Sequence, residues 1–400
     1  MNRGNVVLNY PERFEKKFVI SNEKLDKAIE HATTKLKLKM KNYGLKYVSH
    51  FPEDPGGRKY KLVDNSEWTH GMHTGCYLIS YLLTGDEDFL DVASKQMIDF
   101  KYRLDTKYQL SDHDVGFTYS PSCVAYYKIT GDEFAKNTAL KAAEHLYNVS
   151  YSQKGGFIVR RLCSQHEDPA WCRTMMDTLL NIPLFYWAHE MTGDKKFLDA
   201  ANSQVDITEK YLIREDGSSY HHYQFDVETH KPLYGVTFQG HRNESTWSRG
   251  HSWGVLGIPL AYSYTKNKDL LALQRDISFF MLNHLPEDCV PYWDYDFTQG
   301  DEPRDSSAGA IAACGLFETS KHLDKCDPEK QIYINAANMI INGIIDNCTN
   351  DIGEDYDGIL HSVAGAVPFN LYVRGSAPYG DIFYLDALKR LKDPEWKCMW

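Results

Sequence analysis

The sequence lacks the long apolar run that a membrane-spanning helix requires. No stretch approaches the roughly 20 consecutive apolar residues needed to cross a bilayer. Residues 1–20 also lack the apolar core that is typical of a secretory signal peptide. We therefore expect a cytoplasmic protein that does not bind membranes.

Cysteine pairs and metal-binding motifs are absent as well. The nine cysteines stand singly, without a Cys-x-x-Cys pair, which is typical of reduced thiols rather than of a disulfide framework. His70 and His73 are three residues apart, but no His-Glu-x-x-His motif or calcium-loop spacing accompanies them. The sequence predicts no metal site.

The motifs of nucleotide enzymes and serine hydrolases are missing too. We find no Walker loop, no Gly-x-Gly-x-x-Gly and no Gly-x-Ser-x-Gly, so we expect no cofactor. Acidic residues outnumber basic ones by 55 to 44, which gives a net charge of −11. Because nucleic acids bind clustered Lys and Arg, this balance argues against a nucleic-acid partner.

Aromatic residues, in contrast, are abundant. They make up 13% of the chain, with 27 Tyr and 8 Trp. Aromatic rings stack on the faces of sugar rings, so an acidic, aromatic-rich composition favours a protein that handles sugars.

Short turns repeat along the chain. Thr-Gly-Asp occurs three times, at 84–86, 130–132 and 192–194. Each copy follows an apolar run and precedes an amphipathic one. Glycine favours the C-terminal end of a helix and aspartate caps the next helix, so each copy predicts a helical hairpin. Residues 265–269 form a degenerate fourth copy. The motif Leu-x-Ile-Pro-Leu, at 180–184 and 256–260, predicts a kink that recurs in equivalent helices.

Twelve predicted helices form six pairs. One set is apolar all round and should be buried; it lies near 67–83, 117–129, 174–191, 248–264, 307–322 and 380–391. The amphipathic set should form an outer layer; it lies near 23–42, 88–103, 134–148, 195–212, 268–284 and 330–346. The first and last helices lack sequence neighbours, so we expect them to pair and close a ring.

We therefore predict an all-α fold, an (α/α)6 barrel that is a toroid of six helical hairpins. It should form a single domain over residues 1–400, with residues 1–22 as an N-terminal extension. An open helical solenoid is the alternative. The chain is expected to act as a monomer or homodimer.

Long segments interrupt the helices, each before an apolar one. They lie at 104–116, 149–173, 213–247, 285–306 and 347–379. Loops of this length are usually functional, and in a ring all of them enter the same end. The site should therefore lie at the N-terminal mouth of the inner helices. A strand pair is predicted near 218–226 and 231–238.

Several polar and aromatic residues should gather at this mouth. They are Trp68, His70, His73, His113, Asp114, Asp177, His221, His222, Gln239, Arg249, His251, Trp253 and Asp305.

Asp177 is the first catalytic candidate, because it lies within an otherwise apolar helix. A carboxylate is unfavourable there unless it is paired or functional. It is either a cap or salt bridge, for example to Arg173, or a general acid whose pKa is raised by burial and by a second carboxylate. Asp114 could be that second carboxylate or a plain helix N-cap.

Trp68 and Trp253 are either core residues or a platform for stacking a sugar. Arg249 lies beside Trp253 and could bind a carboxylate through two parallel hydrogen bonds, or form a salt bridge to an acidic residue. The glycine-bounded loop 235–240 could present backbone N–H groups and the amide of Gln239 to a ligand.

The motifs together resemble the unsaturated glucuronyl hydrolases of glycoside hydrolase family 88. The resemblance spans about residues 65–390 and rests on 113–117 (His-Asp-Val-Gly-Phe), 173–181, 235–240, 245–253, 292–296, 304–308 and 379–388.

The resemblance implies an (α/α)6 barrel that acts on lyase-generated oligosaccharides ending in a 4,5-unsaturated uronic acid. The implied reaction is hydration of the vinyl ether double bond. Asp177 matches the general acid/base, which protonates C4 and then activates the water that attacks C5, and Asp114 matches the second essential carboxylate. The implied substrate-binding residues are Trp68, His113, His221, Gly235, Thr237, Gln239, Arg249, Trp253 and Ser362.

The chain departs from this family at positions linked to sulfated substrates. Some members that accept sulfated disaccharides have an arginine where this chain has Phe238, and a serine where it has Gly365. Arg242 or Arg374 could substitute for the missing groups. The segment 160–171 is longer than expected and could reshape the site beyond the cleaved bond.

Three other functions remain open at this point. An unsaturated rhamnogalacturonyl hydrolase would share the fold and chemistry but act on pectin fragments. An inverting glycosidase would need its two carboxyl groups roughly 6.5–9.5 Å apart. A non-catalytic carbohydrate-binding toroid would keep the aromatic residues but would have little reason to bury Asp177.

Overall fold

The computed structural model describes residues 3–160, 172–353 and 355–400. The helices in chain order are α1 Glu12–Glu15, α2 Asn22–Tyr43, α3 His70–Thr84, α4 Glu87–Thr106, α5 Val115–Tyr119, α6 Ala125–Thr130, α7 Glu133–Ser150, α8 Pro183–Thr192, α9 Lys195–Ile207, α10 Ser248–Thr265, α11 Asp269–Asn283, α12 Ser306–His322, α13 Pro328–Asn347 and α14 Pro378–Lys392. The structure is mostly helical, as the sequence predicts. None of the described helices is both long enough and apolar enough to cross a membrane.

The Thr-Gly-Asp turns have the predicted geometry. Gly85, Gly131 and Gly193 adopt φ angles of 72°, 74° and 72°, which place them in the left-handed conformation that ends a helix. The aspartate that follows each glycine accepts a hydrogen bond from a backbone N–H in the first turn of the next helix. In the degenerate copy Lys266 takes the left-handed position instead, with φ 55°.

Two of the predicted inner helices are interrupted. A π-turn over Ser120–Val124 separates α5 from α6, and it contains Pro121. The helix predicted over 174–191 divides into a strand, a 3-10 turn over Met176–Leu180 and then α8, which begins at Pro183. Proline has no N–H to donate within a helix. Pro183 therefore marks a helix start, whereas Pro259 lies inside the continuous helix α10.

The inner segments contact one another in chain order and return to the start. The segments that contain α3, α5–α6, the 176–192 region, α10, α12 and α14 each touch the next, and α14 touches α3. The outer helix α2 packs against α14, which is the pairing predicted for the two ends of the chain.

Short strands lie in the connections between helices. They are β1 Tyr47–Pro52, β2 Tyr60–Val63, β3 Tyr151–Ser152, β4 Phe157–Ile158, β5 Arg173–Met175, β6 His222–Phe225 and β7 Pro232–Val236. The predicted hairpin is confirmed, since β6 and β7 pair antiparallel within 218–238. The sequence did not predict that β5 adds a third strand to this sheet.

The first residues pack onto the outer layer rather than extending away from it. The backbone N–H groups of Gly4 and Val6 donate to the carboxylate of Asp276 on α11, at 2.8 and 2.9 Å. The guanidinium of Arg275 donates to the carbonyl oxygens of the same two residues. The segment predicted as an extension is thus attached to the fold by paired backbone groups.

A buried ion cluster joins α12 to α14. Arg390 donates to Asp386 at 2.9 Å and to Glu318 at 2.5 Å, and all three side chains are less than 10% exposed. Burial alone would raise the pKa of Glu318, but the charge of Arg390 holds that pKa well below its usual range. Within the described chain, removal of Arg390 would leave the buried Asp386 without an ionic partner and would leave Glu318 with the more distant Lys321, at 3.3 Å.

We therefore expect Arg390→Met to lower the free energy of unfolding by about 3–5 kcal/mol, because Asp386 would stay buried without a counter-ion and Glu318 would lose its nearest one. Urea unfolding followed by circular dichroism measures the change. The control is Lys95→Ala, which breaks an exposed ion pair with Asp91 and should change this free energy by less than about 0.5 kcal/mol. Equal effects of the two variants would contradict a stabilising role for the cluster.

Candidate active site

A cavity of about 420 Å³ opens where the long connections meet the starts of the inner helices. Eight residues predicted for the site line it: Trp68, His113, Asp114, Asp177, His221, Gln239, Arg249 and Trp253. They come from segments spread over nearly 200 residues of chain, and the fold brings them together.

Three carboxylates surround one buried imidazole at the base of the cavity. The Nε2 atom of His113 lies 3.2 Å from Asp177 Oδ1 and 3.4 Å from Asp114 Oδ1. Its Nδ1 atom is hydrogen-bonded to Asp112. The imidazole is 1% exposed, whereas the Asp114 and Asp177 side chains are 21% and 14% exposed and line the cavity. Both candidate carboxylates therefore share a single histidine nitrogen.

The close approach of two chain segments produces this arrangement. A Cβ atom on Gly116 would lie 2.3 Å from Cα of Asn181, so only glycine lets α5 meet the 3-10 turn at this distance. The side chain of Asn181 then accepts a hydrogen bond from the N–H of Phe117 at 3.0 Å. Asp114, just before α5, and Asp177, in the first turn of the 3-10 segment, are thereby held beside each other.

The charges of this centre shift its protonation equilibria. Burial alone would lower the pKa of His113, but the charges of Asp114, Asp112 and Asp177 raise it well above its ordinary value. Burial, together with the charges of Asp112 and Asp177, raises the pKa of Asp114 to about 7, against the opposing charge of His113. The imidazole is thus a cation at neutral pH, while Asp114 retains a proton below about pH 7.

Aromatic rings form one wall of the cavity. Trp68 stacks on Tyr379 with ring centroids 5.6 Å apart and an angle of 13° between the rings. Phe117 contacts Trp68 on one side and Trp253 on the other, at 5.4 and 5.2 Å. Trp68 is partly exposed and Trp253 is 2% exposed. Trp68 can therefore offer more of its ring to a ligand than Trp253 can.

Arg249 already has several partners within the protein, unlike an arginine that is free to bind a carboxylate. Its Nη1 atom donates to the buried Asp305 at 2.7 Å, and its guanidinium also donates to the carbonyl oxygens of Ala364 and Gly365. The guanidinium lies 4.6 Å from the rings of both Trp247 and Tyr379. Both interpretations made from the sequence have support, because Arg249 forms a salt bridge and also lines the cavity.

His221 and Gln239 are joined by a backbone contact. The N–H of Gln239 donates to Nδ1 of His221 at 3.3 Å. Burial lowers the pKa of His221 well below its ordinary value, and the charges of His222 and Arg173 lower it further. Within the described part of the chain, Nε2 of His221 is buried without a hydrogen-bond partner. His221 is therefore neutral, lines the cavity and, among the described residues, has one ring nitrogen without a hydrogen-bond partner.

Three of the predicted substrate-binding residues do not line the cavity. Gly235 lies in β7 beneath Tyr220, whose ring a Cβ atom would meet at 2.4 Å. The hydroxyl of Thr237 donates to the carbonyl oxygens of Asn243 and Ser245. The hydroxyl of Ser362 is bonded to His361 at 2.8 Å. Their observed contacts support the loops that carry Gln239 and the 363–375 segment.

Other residues expected at the mouth are buried in structural roles. Nδ1 of His70 accepts N–H groups of the segment before α3, and His73 is bonded to Tyr77. His251 bonds to Ser219 and to the carbonyl oxygen of Ile277. Neither these residues nor His222 and Asp305 line the cavity. Apolar surroundings and nearby backbone groups account for them, which spacing along the chain could not show.

Several residues that contribute to the site were not predicted from the sequence. Asp112 orients His113, Trp247 and Tyr379 enclose Arg249, and Phe369 lines the cavity from the far end of the chain. Asp112 directly precedes His113 and Asp114, which the sequence predicts as site residues. Its position beside them could have identified it. The longer-than-expected segment 160–171 lies outside the described residues except for Arg160, which also lines the cavity.

The same centre is the one group in the described ranges that brings three possible metal ligands together. Ligand atoms of Asp112, His113 and Asp114 lie within 4.8 Å of one another. A protonated imidazole donates through both ring nitrogens and has no lone pair for a metal ion. The raised pKa of His113 therefore favours a hydrogen-bonded network here, and the absence of a metal site stays a prediction.

Comparisons with known proteins agree with the sequence motifs. The sequence profile of Glycosyl Hydrolase Family 88 matches residues 46–375. The unsaturated chondroitin disaccharide hydrolase of Streptococcus pneumoniae is 37% identical over 392 residues, which cover 98% of this chain and 97% of that protein. A crystal structure of unsaturated glucuronyl hydrolase from Streptococcus agalactiae superposes with a TM-score of 0.94, at 34% identity and 100% coverage of both chains. A variant from the same organism, complexed with dGlcA-GalNAc6S, superposes with a TM-score of 0.87 at 33% identity and the same coverage.

The engagement of Arg249 predicts two effects of Arg249→Ala. The KM for a uronate substrate should rise, and the free energy of unfolding should fall by about 3–5 kcal/mol because Asp305 would be left buried without its partner. Steady-state kinetics and urea unfolding measure the two effects. The control is Arg242→Ala, which removes an exposed ion pair with Asp296 and should leave both nearly unchanged. An Arg249→Ala variant as stable as the original would rule out a structural role for the ion pair.

The pKa of Asp114 predicts a pH dependence. If the carboxyl pair must hold a proton for the reaction, kcat/KM should fall as the pH rises above about 7, approaching a tenfold loss per pH unit. The measurement is a profile from about pH 6 to about pH 9, with circular dichroism at each pH to verify that the fold is retained. A rate that is constant over this range would contradict a proton-donating role for the pair.

Proposed function

The chain belongs to Glycosyl Hydrolase Family 88, and from this membership we propose that it removes the 4,5-unsaturated uronic acid from lyase-generated glycosaminoglycan oligosaccharides. It is a glycoside hydrolase. The relatives named above carry this type of activity in their names. The observation that supports the proposal most directly is the carboxylate pair that shares His113 in a cavity with aromatic walls.

The first chemical step requires an acid. A vinyl ether becomes reactive when its C4 carbon is protonated, and we assign this proton to the Asp114–Asp177 pair, with Asp177 as the donor. Burial and neighbouring charge keep a proton on Asp114 near neutral pH, so one proton is available within the pair. A single positioned acid or base contributes roughly 10²–10⁴-fold to a rate.

The second step requires a base, and the same residue can provide it. After protonation of C4, the carboxylate of Asp177 takes a proton from a water molecule whose oxygen forms a bond to C5. The hydrated product is a hemiketal. It opens by breaking the bond between C5 and the ring oxygen, and the resulting hemiacetal at C1 then releases the leaving sugar. Asp177 has gained back the proton that it donated, so the cycle closes.

Asp114 and His113 complete the proposed mechanism without bonding to the reacting carbons. The His113 cation lies within 3.4 Å of oxygens of both carboxylates and can stabilise the negative charge that Asp177 acquires when it donates its proton. Asp114 also lines the cavity and can accept hydrogen bonds from sugar hydroxyl groups. These groups keep the acid near the substrate in a fixed orientation.

Substrate binding in this proposal falls to the cavity walls. Trp68 offers a ring to the uronic acid, and Gln239 and His221 offer an amide and a ring nitrogen to its polar groups. Arg249 lines the cavity with its charge partly neutralised by Asp305. A uronate carboxylate bound there would contact the Arg249 cation, whose side chain is already fixed by its ion pair with Asp305.

The geometry is less suited to an inverting glycosidase. That reaction needs roughly 6.5–9.5 Å between its carboxyl groups. Here Asp114 Oδ1 and Asp177 Oδ1 both lie within 3.4 Å of Nε2 of His113. These two oxygens could reach the short end of the required range only if they lay on opposite sides of that nitrogen. A non-catalytic binding protein would have no need for a protonated carboxyl pair in its cavity.

We also propose that the helices form one (α/α)6 barrel over the whole chain, including the N-terminal segment. The cyclic order of contacts among the six inner segments supports this, as does the contact of Gly4 and Val6 with α11. The cytoplasmic location and the monomeric or homodimeric state stay predictions.

A direct test follows the ultraviolet absorbance of the conjugated uronate. We expect this absorbance to disappear during incubation with lyase-generated chondroitin, hyaluronan or heparin disaccharides, because hydration removes the double bond. Pectin-derived unsaturated disaccharides are the comparison. Loss of absorbance only with the pectin fragments would assign the chain to rhamnogalacturonyl chemistry, and no loss with any substrate would contradict a hydrating enzyme.

Asp177→Asn tests the assigned acid. We expect kcat to fall by at least about 10²-fold, since an amide cannot donate the proton, while the dissociation constant for the disaccharide stays nearly unchanged. Turnover is measured by the absorbance assay and binding by calorimetry. The control Asp91→Asn changes an exposed aspartate and should leave both quantities as they are. Retained turnover in Asp177→Asn would remove this residue from the mechanism.

A further inference from the structure

His50 lines the cavity, although neither the sequence motifs nor the proposed mechanism gives it a role. It lies in β1, and its side chain is 16% exposed. Its ring contacts that of Trp68, with centroids 5.6 Å apart and an angle of 59° between the planes. Because Trp68 is the ring proposed to stack on the uronic acid, His50 lies beside the place where that sugar would bind.

His50 lies on the same side of the cavity as Asp114. A second recess of about 210 Å³ opens next to the cavity, and four residues line both spaces: His50, Trp68, Asp112 and Asp114. These four side chains therefore form the partition between the two spaces. A sugar that stacks on Trp68 and reaches Asp114 lies along this partition, so His50 is closer to the uronic acid than to the leaving sugar.

The carboxylate of Glu67 fixes the orientation of the His50 ring. Its Oε2 atom lies 2.6 Å from Nδ1 of His50 and accepts a hydrogen bond from the backbone N–H of the same residue at 2.9 Å. Its Oε1 atom accepts a hydrogen bond from the hydroxyl of Ser49 at 2.6 Å. Burial alone would raise the pKa of Glu67, but the hydrogen bonds that it accepts from His50 and Ser49 lower this pKa to about 2. Glu67 is therefore ionised at neutral pH.

This contact assigns the hydrogen atoms of the His50 ring. An ionised carboxylate can only accept hydrogen bonds, so Nδ1 of His50 carries a hydrogen. Among the described residues, no group is hydrogen-bonded to Nε2. A sugar hydroxyl group can donate to Nε2 of a neutral imidazole or accept from Nε2 of a protonated one. Either form of the ring can therefore bind a hydroxyl group through this nitrogen.

The segments that carry His50 and Glu67 are themselves held in place. β1 pairs antiparallel with β2. The buried guanidinium of Arg103 donates to the carbonyl oxygens of Ser66 and Glu67, at 2.9 and 2.8 Å, directly before Trp68. An imidazole that is already oriented binds a ligand at a lower entropic cost than a mobile one.

We propose that His50 is a further substrate-binding residue, which holds a hydroxyl group of the unsaturated uronic acid through Nε2, and that Glu67 is the residue that positions it. This inference rests on the proposed function. A 4,5-unsaturated uronic acid keeps its hydroxyl groups on C2 and C3, which are not the carbons that react. The contact is therefore present both before and during the reaction, so its loss should raise KM and leave kcat nearly unchanged.

His50→Asn separates this role from a purely structural one. The asparagine amide can place an N–H group near the position of Nδ1 and keep the bond to Glu67, but it has no atom at the position of Nε2. We expect the KM for the unsaturated chondroitin disaccharide to rise about 5- to 10-fold, as for one lost hydrogen bond, with kcat within about 2-fold. Urea unfolding should give an unchanged midpoint. An unchanged KM would show that His50 serves only the contact with Glu67 and would overturn the proposal.

A substrate with an aryl leaving group shows which sugar His50 contacts. An aryl glycoside of the unsaturated uronic acid keeps the hydroxyl groups of that sugar and lacks those of a leaving sugar. We expect His50→Asn to raise the KM for this substrate by the same factor of about 5 to 10. A rise with the disaccharide but not with the aryl glycoside would place the contact on the leaving sugar and contradict the assignment to the uronic acid.

A double-mutant cycle tests the positioning role of Glu67. Glu67→Ala should raise KM by about 3- to 10-fold in the original protein but by less than about 2-fold in the His50→Asn background, because both changes remove one contact. Glu67→Gln should have a smaller effect than Glu67→Ala, since the amide oxygen can still accept the hydrogen bonds of His50. An equal rise in both backgrounds would show that Glu67 does not act through His50.

The matched control is His189→Asn. Nδ1 of His189 is hydrogen-bonded to the carbonyl oxygen of Asp194 at 3.0 Å, but His189 does not line the cavity, so KM and kcat should stay unchanged. If the original protein converts no unsaturated uronide, the proposed function fails and this inference fails with it. If the original protein is active and His50→Asn behaves like His189→Asn, the proposed function stands and the role of His50 is wrong.

Discussion

The rest of the site depends on the contacts between the buried His113 cation and three aspartate side chains. An imidazolium with 1% exposure is unfavourable by itself, because burial opposes charge. The carboxylates of Asp112, Asp114 and Asp177 offset that cost, and in return the cation allows the three acids to lie close together. The centre therefore tolerates few changes and provides both a retained proton and a nearby positive charge.

Backbone packing sets the distances in this centre. Gly116 allows α5 to meet the turn that carries Asp177, and the Asn181 amide fixes the contact through the N–H of Phe117. The interruption of the helix predicted over 174–191 also sets the position of a residue in this centre. The 3-10 turn that ends before Pro183 holds Asp177 in its first turn, and the Asp177 side chain lines the cavity.

The sequence predicted the helical repeat well because short-range rules govern it. Each Thr-Gly-Asp turn is determined by its own glycine and aspartate. The periodicity of apolar residues distinguishes the inner from the outer helices. Contacts between residues that are far apart in the sequence could not be predicted in the same way. The partner of Arg249 is Asp305, 56 residues away, and the ring of Tyr220 leaves no room for a side chain at Gly235. The third strand, β5, also pairs with a segment about 50 residues later. Residue types alone indicated chemistry at these positions but not which group each residue meets.

The two ends of the cavity impose different requirements on one substrate. In the proposed reaction the carboxyl–imidazole centre acts on atoms that change, so its contribution depends on proton position and charge. Phe238 and Phe369 line the same cavity without a titratable group, so their replacement can change the affinity for a ligand without moving the proton. Arg249 connects the two parts, since it lines the cavity and also holds the hairpin that carries Phe369. Because of this connection, replacement of Arg249 would disturb the cavity and the position of the 364–365 backbone together.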